Sequence, residues 1–183
     1  MLHPYYYFKN IFSPEECRII IEMHKKYVID GQVNKNNTES VNLSKRKSKI
    51  TWVKDDGIRT KLTKIFAMAN ADSFGVEVDY NFPYDIQFTE YSEGGYYGDH
   101  IDAYINPKSM YDRKLSVTVP LSIDSEVEGG SLEFFIDGEW KSAEMQQQGT
   151  AIVFPSFSRH KVNPVIKGTR YSLVAWLQGP KWK

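Results

Sequence analysis

Between Ser13 and Val28 the apolar positions recur at helical spacing: Cys17, Ile20, Ile21, His24, Tyr27 and Val28 share one face. Ser13-Pro14-Glu15-Glu16 supplies the start of that helix. Ser13 caps, Pro14 takes the first helical position and Glu16 completes a capping box. Asp30-Gly31 supplies the stop. His24 falls on the buried face and reads as a packed or rim histidine, and His3 as an irrelevant terminal one. Ile50–Val53 has the β-branched and aromatic texture of a strand. Asp55-Asp56 then caps a second helix with the face Ile58, Leu62, Ile65, Phe66 and Ala69, ending near Phe74-Gly75. Beyond Gly75 the period shortens. Apolar runs separated by turn residues predict strands over Asp85–Tyr91, His100–Tyr104, Lys114–Ser122, Ser131–Ile136, Glu139–Ala143, Thr150–Phe154, His160–Val165 and Arg170–Leu177. Asp137-Gly138 is a hairpin signal, and Gly129-Gly130 and Gly149 are breakers.

Two helices followed by a series of short strands predict a mainly β fold with flanking helices (α+β). The expected core is a double-stranded β-helix, or jelly roll, with the two N-terminal helices packed on one sheet. No repeat, low-complexity tract or linker divides the chain. Residues 1–183 therefore read as one domain, helical to about residue 75 and jelly roll over about 76–180.

Composition narrows the function classes. Twenty-three basic residues balance twenty-three acidic ones, so no global field points to nucleic acid or a membrane surface. Cys17 is the single cysteine, compatible with a reducing compartment. The N-terminal residues lack a signal-peptide pattern and the apolar runs are short, so the expected location is cytoplasmic. From Gln32 to Lys49 the chain is polar and reads as a mobile loop. Its cluster Lys45, Arg46, Lys47 and Lys49 reads first as a solvated charged edge, and second as a patch for an anionic partner.

The candidate chemistry centres on Tyr97-Gly98-Asp99-His100-Ile101-Asp102-Ala103. On a strand, His100 and Asp102 would leave the same face and offer an imidazole and a carboxylate to one metal. His160, opening a later strand, would be the third ligand. Two histidines and one carboxylate with the remaining positions open suit a non-haem Fe(II) oxygenase. Alone, a His-x-Asp pair is as readily a structural pair as a metal site, and the lesser reading of Arg170 is a strand-end residue facing solvent. Arg170, ten residues beyond His160, shares a strand face with Ser172, Val174 and Trp176. A guanidinium inside a β core needs an anion, and no acid near it in sequence supplies one. A bound carboxylate would pair with it bidentately, and the Ser172 hydroxyl could join. Asp99, Glu90 and Glu93 read as solvated charges.

These residues fall in a pattern that resembles the 2-oxoglutarate/Fe(II)-dependent dioxygenase superfamily, specifically its prolyl 4-hydroxylase-like branch. The matching segments are Gln87-Phe88-Thr89-Glu90-Tyr91, Gly94-Gly95, His100-Ile101-Asp102, Glu128-Gly129-Gly130, Phe154-Pro155-Ser156, His160-Lys161-Val162 and Gly168-Thr169-Arg170-Tyr171-Ser172, with Trp176. The likeness covers roughly Tyr84 to Gln178. It extends less clearly to Phe12–Cys17 and to Arg46-Lys47-Ser48 with Trp52. The resemblance implies that His100, Asp102 and His160 bind Fe(II). It implies that Arg170, with Tyr91 and Ser172, holds the distal carboxylate of 2-oxoglutarate, and that Trp176 packs beside the iron ligands. It implies O2 as co-substrate, ascorbate as reductant, and oxidative decarboxylation to succinate and CO2 coupled to hydroxylation of a C–H bond. An acid at position 102 argues against the related halogenases. A peptidyl proline is the first substrate implied. A free amino acid or small metabolite is the alternative, and so are a jelly-roll metal module without turnover and a cupin-like enzyme without a keto acid. The segments 34–49 and Asn106–Arg113 are the expected substrate grips, the first as a lid.

Overall fold

The computed structural model describes residues 4–31, 33–35, 38–40, 45–81, 84–103 and 109–182. His3, the Tyr104 end of one expected strand, and parts of both expected substrate grips lie outside the described residues. In chain order the elements are β1 (Tyr6–Phe8), α1 (Pro14–His24), β2 (Ile29–Asp30), β3 (Val33–Lys35), β4 (Thr38–Ser40), β5 (Arg46–Lys47), β6 (Lys49–Val53), α2 (Asp56–Ala69), β7 (Ile86–Tyr91) and β8 (Tyr96–His100). There follow β9 (Tyr111–Pro120), β10 (Glu128–Gly129), β11 (Leu132–Ile136), β12 (Glu139–Ser142), β13 (Ala151–Pro155), β14 (His160–Val162), β15 (Val165–Lys167) and β16 (Arg170–Pro180).

The capping box forms as its residues predict. Ser13 Oγ accepts from the Glu16 N–H at 3.2 Å, and the Glu16 carboxylate accepts from the Ser13 N–H at 2.9 Å. Glu16 also pairs with Lys61 of α2 at 2.6 Å, tying the helices together. The expected end of α1 needs correction. The α-helix stops at His24, a 3-10 turn covers Lys25–Tyr27, and Ile29–Asp30 joins the sheet beside β6. Pairing of Ile29 with Ile50 draws the chain out of the helix before the Asp30-Gly31 stop is reached, and it leaves Tyr27 exposed. His24 is a packed histidine: its ring stacks on Phe88 and its Nδ1 pairs with the Ile20 carbonyl at 2.9 Å. The Asp55 cap of α2 accepts from the Ile58 N–H, and all five predicted face residues are buried.

The fold is mainly β with these two helices. Two antiparallel sheets form a sandwich. One has seven strands in the order β1-β13-β9-β16-β7-β6-β2, the other five in the order β12-β11-β14-β8-β5. Alternation along the strands divides the interior in two. Leu173, Ala175 and Leu177 of β16, with Ile86 and Phe88 of β7 and Leu115, Val117 and Val119 of β9, join the α1 and α2 faces in one apolar cluster. The intervening side chains turn to the other sheet, where Tyr91, Leu132, Phe134, Ile152, Phe154 and Val162 form the second cluster. The Asp137-Gly138 signal is a two-residue hairpin. Ile136 pairs with Glu139, and Asp137 and Gly138 both have positive φ, 54° and 86°.

Candidate metal centre

The five-stranded sheet brings two histidines together by register: β14 runs antiparallel to β8 with His160 opposite His100. Their ring centroids are 4.1 Å apart. Asp102 does not sit on the strand as its spacing suggests. β8 ends at His100, and the departing chain is held by the Ser156 carbonyl, which accepts from the N–H groups of Asp102 and Ala103, both at 2.8 Å. Asp102 Oδ1 lies 3.7 Å from His100 Nε2 and its Oδ2 lies 3.6 Å from His160 Nε2. The three donor atoms lie within 4.8 Å of one another.

Two further features prepare these groups for a cation. His100 Nδ1 pairs with the Gly98 carbonyl at 2.8 Å and His160 Nδ1 with the Ser158 carbonyl at 2.9 Å. A carbonyl can only accept, so each Nδ1 carries a proton, and the nitrogen each neutral ring offers to a metal is Nε2, on the Asp102 side. Asp102 Oδ2, meanwhile, is buried with no hydrogen-bond partner among the described residues. A carboxylate oxygen in that condition is costly unless a cation occupies the gap.

Electrostatics agree with this. Burial, and then the His160 charge, push the His100 imidazole down to about 4, so it is neutral at physiological pH. For Asp102 burial acts upward, but His160, His100, Arg113 and the Ser116 hydroxyl outweigh it, and its carboxyl lies below the usual carboxylate range. A folded-state value below 6.5 for His100 means that the unfolded chain binds more protons through the intervening pH window. The metal-free protein should therefore lose stability as pH falls from 6.5 toward 4, and the low Asp102 value extends the loss to lower pH. Urea denaturation of metal-free protein at three or more pH values across that window checks this.

The three groups open into a cavity of roughly 600 Å³ between the sheets. Arg170, Ser172, Val174 and Trp176 line its wall from β16, as the strand period predicts. Arg170 is 6% exposed and lies opposite Tyr91 in the β16–β7 register, with its guanidinium carbon 5.5 Å from the Tyr91 ring centroid. Nη1 donates to Ser172 Oγ at 3.1 Å, and no carboxylate among the described residues pairs with it. Burial pushes the Arg170 guanidinium below its ordinary value. Trp176 packs edge-on to the half-exposed Trp52, lies under the Arg113 guanidinium at 4.0 Å, and has a buried Nε1 with no hydrogen-bond partner among the described residues.

Two cavity residues were not singled out by the sequence. Tyr97 stacks on His100 with centroids 3.5 Å apart and planes 11° apart. Its position three residues before His100 carries no signal of its own. Arg46 was grouped with a solvated basic edge. Lys45, Lys47 and Lys49 are exposed as that reading requires, but Arg46 is buried and lines the cavity. Of the charges read as solvated, Asp99 is exposed and pairs with Arg159, Glu93 is exposed and accepts from the Gly168 N–H, and Glu90 is half-buried in β7.

Residues 86–178 match the 2OG-Fe(II) oxygenase superfamily. A PKHD-type hydroxylase of Shewanella sp. (strain MR-4) is 31% identical over 175 residues, covering 92% of this chain and 75% of that protein. The chain belongs to the 2OG-Fe(II) oxygenase superfamily. Membership agrees with the resemblance read from the motifs. Another superfamily relative, a PKHD-type hydroxylase of Alteromonas mediterranea, is 38% identical over 95 residues, or 50% of this chain, and the chain spans only 42% of its length. A prolyl-4-hydroxylase of Pseudomonas putida superposes with a TM-score of 0.75 at 18% identity, covering 98% of this chain and 94% of that one. A prolyl hydroxylase of Trichoplax adhaerens, solved with a hypoxia-inducible-factor peptide fragment, gives 0.73 at 16% identity over 95% and 83%. At such identities the structures speak for a shared fold. No helix among the described residues is long and apolar enough to cross a membrane.

Proposed function

We propose that this chain is an Fe(II)- and 2-oxoglutarate-dependent hydroxylase of C–H bonds, built as one domain on a double-stranded β-helix with the two helices against the larger sheet. The observation that carries the reading is the joint presence, in one cavity, of a largely buried two-histidine, one-carboxylate group with an oxygen that has no partner among the described residues, and a buried guanidinium that has no acid partner among them. The first fits a divalent metal with open positions, and the second fits the far carboxylate of a small dicarboxylate. His100, Asp102 and His160 would hold Fe(II), which when bound supplies the redox chemistry that couples decarboxylation of 2-oxoglutarate by O2 to hydroxylation.

The chain's own groups do the positioning. The carbonyls of Gly98 and Ser158 accept from both Nδ1–H groups, fixing the tautomer in which Nε2 is the ligating nitrogen of each ring. Arg170 and Ser172 would bind the 2-oxoglutarate tail, with Tyr91 over the guanidinium. Leu132, Phe154, Val162 and Val174 keep this end of the cavity apolar and limit water beside the reacting carbon. Trp176 fixes the wall next to the metal.

A peptidyl proline is the substrate supported by the shared fold with prolyl hydroxylases; a free amino acid or small metabolite is the second reading. Ascorbate would serve as reductant, and a reducing cytoplasm suits Fe(II) and the one buried thiol, Cys17. The test is anaerobic titration of 2-oxoglutarate into the Fe(II)-loaded protein. A weak visible charge-transfer band that saturates at one equivalent is expected, followed by succinate release on admitting O2. A metal module without turnover gives neither.

A further inference from the structure

The cavity holds a second buried guanidinium that the proposed cofactors leave unused. Arg46 lies on β5, paired with Tyr97 of β8, and is 5% exposed. Its guanidinium carbon stands 4.7 Å from the Tyr97 ring centroid, and the same ring stacks on the imidazole of His100. Nε donates to Ser48 Oγ at 2.6 Å. Neither amino nitrogen has a hydrogen-bond partner among the described residues, and Asp30, which lines the same cavity, forms no ion pair with it. The Tyr97 ring and one hydroxyl offset only part of what burial of a guanidinium costs.

A charge balance separates Arg46 from Arg170. The inference rests on the oxygenase reading above. With Fe(II) and dianionic 2-oxoglutarate bound, the charges of the metal, Asp102, the dicarboxylate and Arg170 cancel, and the other charged lining residues, Asp30, Lys45, Asp99 and Arg113, are exposed or half-buried where Arg46 is buried. Arg46 is then a buried positive charge without an anion among the described residues, beside the Tyr97 ring that stacks on His100. The cavity lining also carries exposed apolar side chains, Trp52, Ile29 and Ile101, interspersed with charged ones. We infer that the substrate presents a carboxylate to Arg46, so that the enzyme selects an apolar residue flanked by an acidic one, or carrying a terminal carboxylate. Planar guanidinium and carboxylate match bidentately, which gives register as well as affinity along an extended peptide.

Binding to the anaerobic protein loaded with Fe(II) and 2-oxoglutarate tests this without relying on turnover. Four probes are used: acetyl-Asp-Pro-Asp-amide against acetyl-Asn-Pro-Asn-amide, and N-acetylproline against N-acetylprolinamide. The first pair reports a side-chain carboxylate and the second a terminal one. In at least one pair the acid should bind roughly tenfold tighter than its neutral partner. Arg46→Gln should reduce that ratio to within about twofold, Arg46→Lys should keep part of it, and Lys64→Gln, at an exposed position of α2 outside the cavity, should keep all of it. A purely structural Arg46 would weaken acid and neutral probes alike and leave the ratio standing. The proposal is overturned if neither acid binds at millimolar concentration, if neither pair is discriminated, or if the ratio survives Arg46→Gln. Loss of the oxygenase reading shows up separately, as absence of succinate release by the unaltered protein.

Discussion

Arg170→Met is expected to make the metal-free, ligand-free protein more stable while removing its response to 2-oxoglutarate. In the native cavity the guanidinium is buried, has one hydroxyl partner, and has no acid partner among the described residues. Replacing even well-paired buried ions by apolar groups of similar volume is often neutral or stabilising, by about 1–4 kcal/mol. An Arg170 held only by Ser172 and the Tyr91 ring has less to lose. Once a carboxylate is bound the sign reverses, because removing one partner of a buried, hydrogen-bonded charge pair costs about 3–5 kcal/mol, or about two to three and a half orders of magnitude in affinity. Thermal melts with and without 2-oxoglutarate check both halves. The variant should melt higher than the parent alone, and should gain nothing from ligand that raises the parent's Tm. A variant that melts lower without ligand would make Arg170 a structural residue.

The second large effect is at the metal group. His100→Ala, Asp102→Ala and His160→Ala should each reduce succinate production to below about 1% of the parent, a greater loss than the 10–100-fold typical for residues that merely orient metal ligands. Unfolding is not the expected cause. Asp102 brings a buried oxygen without a partner, so Asp102→Ala removes a desolvated charge as well as a ligand. Its metal-free Tm should stay within about 5 °C of the parent. The metal-dependent rise in Tm, present in the parent, should be absent in all three variants.

Local signals were the most legible part of the sequence. The Ser13–Glu16 box, the Asp55 cap and the Asp137-Gly138 turn are each decided within four residues, and all three form as their chemistry dictates. The alternation Arg170, Ser172, Val174, Trp176 is equally clear, because a strand's period is strict and the register irregularity of β16 against β9 comes only after Leu177. Long-range pairing escaped notice. α1 ends earlier than its apolar spacing predicts because nothing in Lys25–Asp30 announces that Ile29 will pair with Ile50. The pair His100 and Asp102 was found through a two-residue strand repeat, yet Asp102 lies past the strand end and is aimed by the Ser156 carbonyl, a contact more than fifty residues away. Arg46 looked like its exposed lysine neighbours because burial of one residue in a charged run depends on which strand it meets, here Tyr97 of β8.

The central claim is that one metal ion sits on His100 Nε2, an Asp102 oxygen and His160 Nε2. The most direct measurement is an anomalous-difference map at the iron edge from crystals grown and loaded anaerobically with Fe(II). A single strong peak within bonding distance of all three atoms is expected, with the Asp102 carboxylate drawn in to close the present gap. A peak elsewhere, or one touching only a single member of the group, would contradict the account.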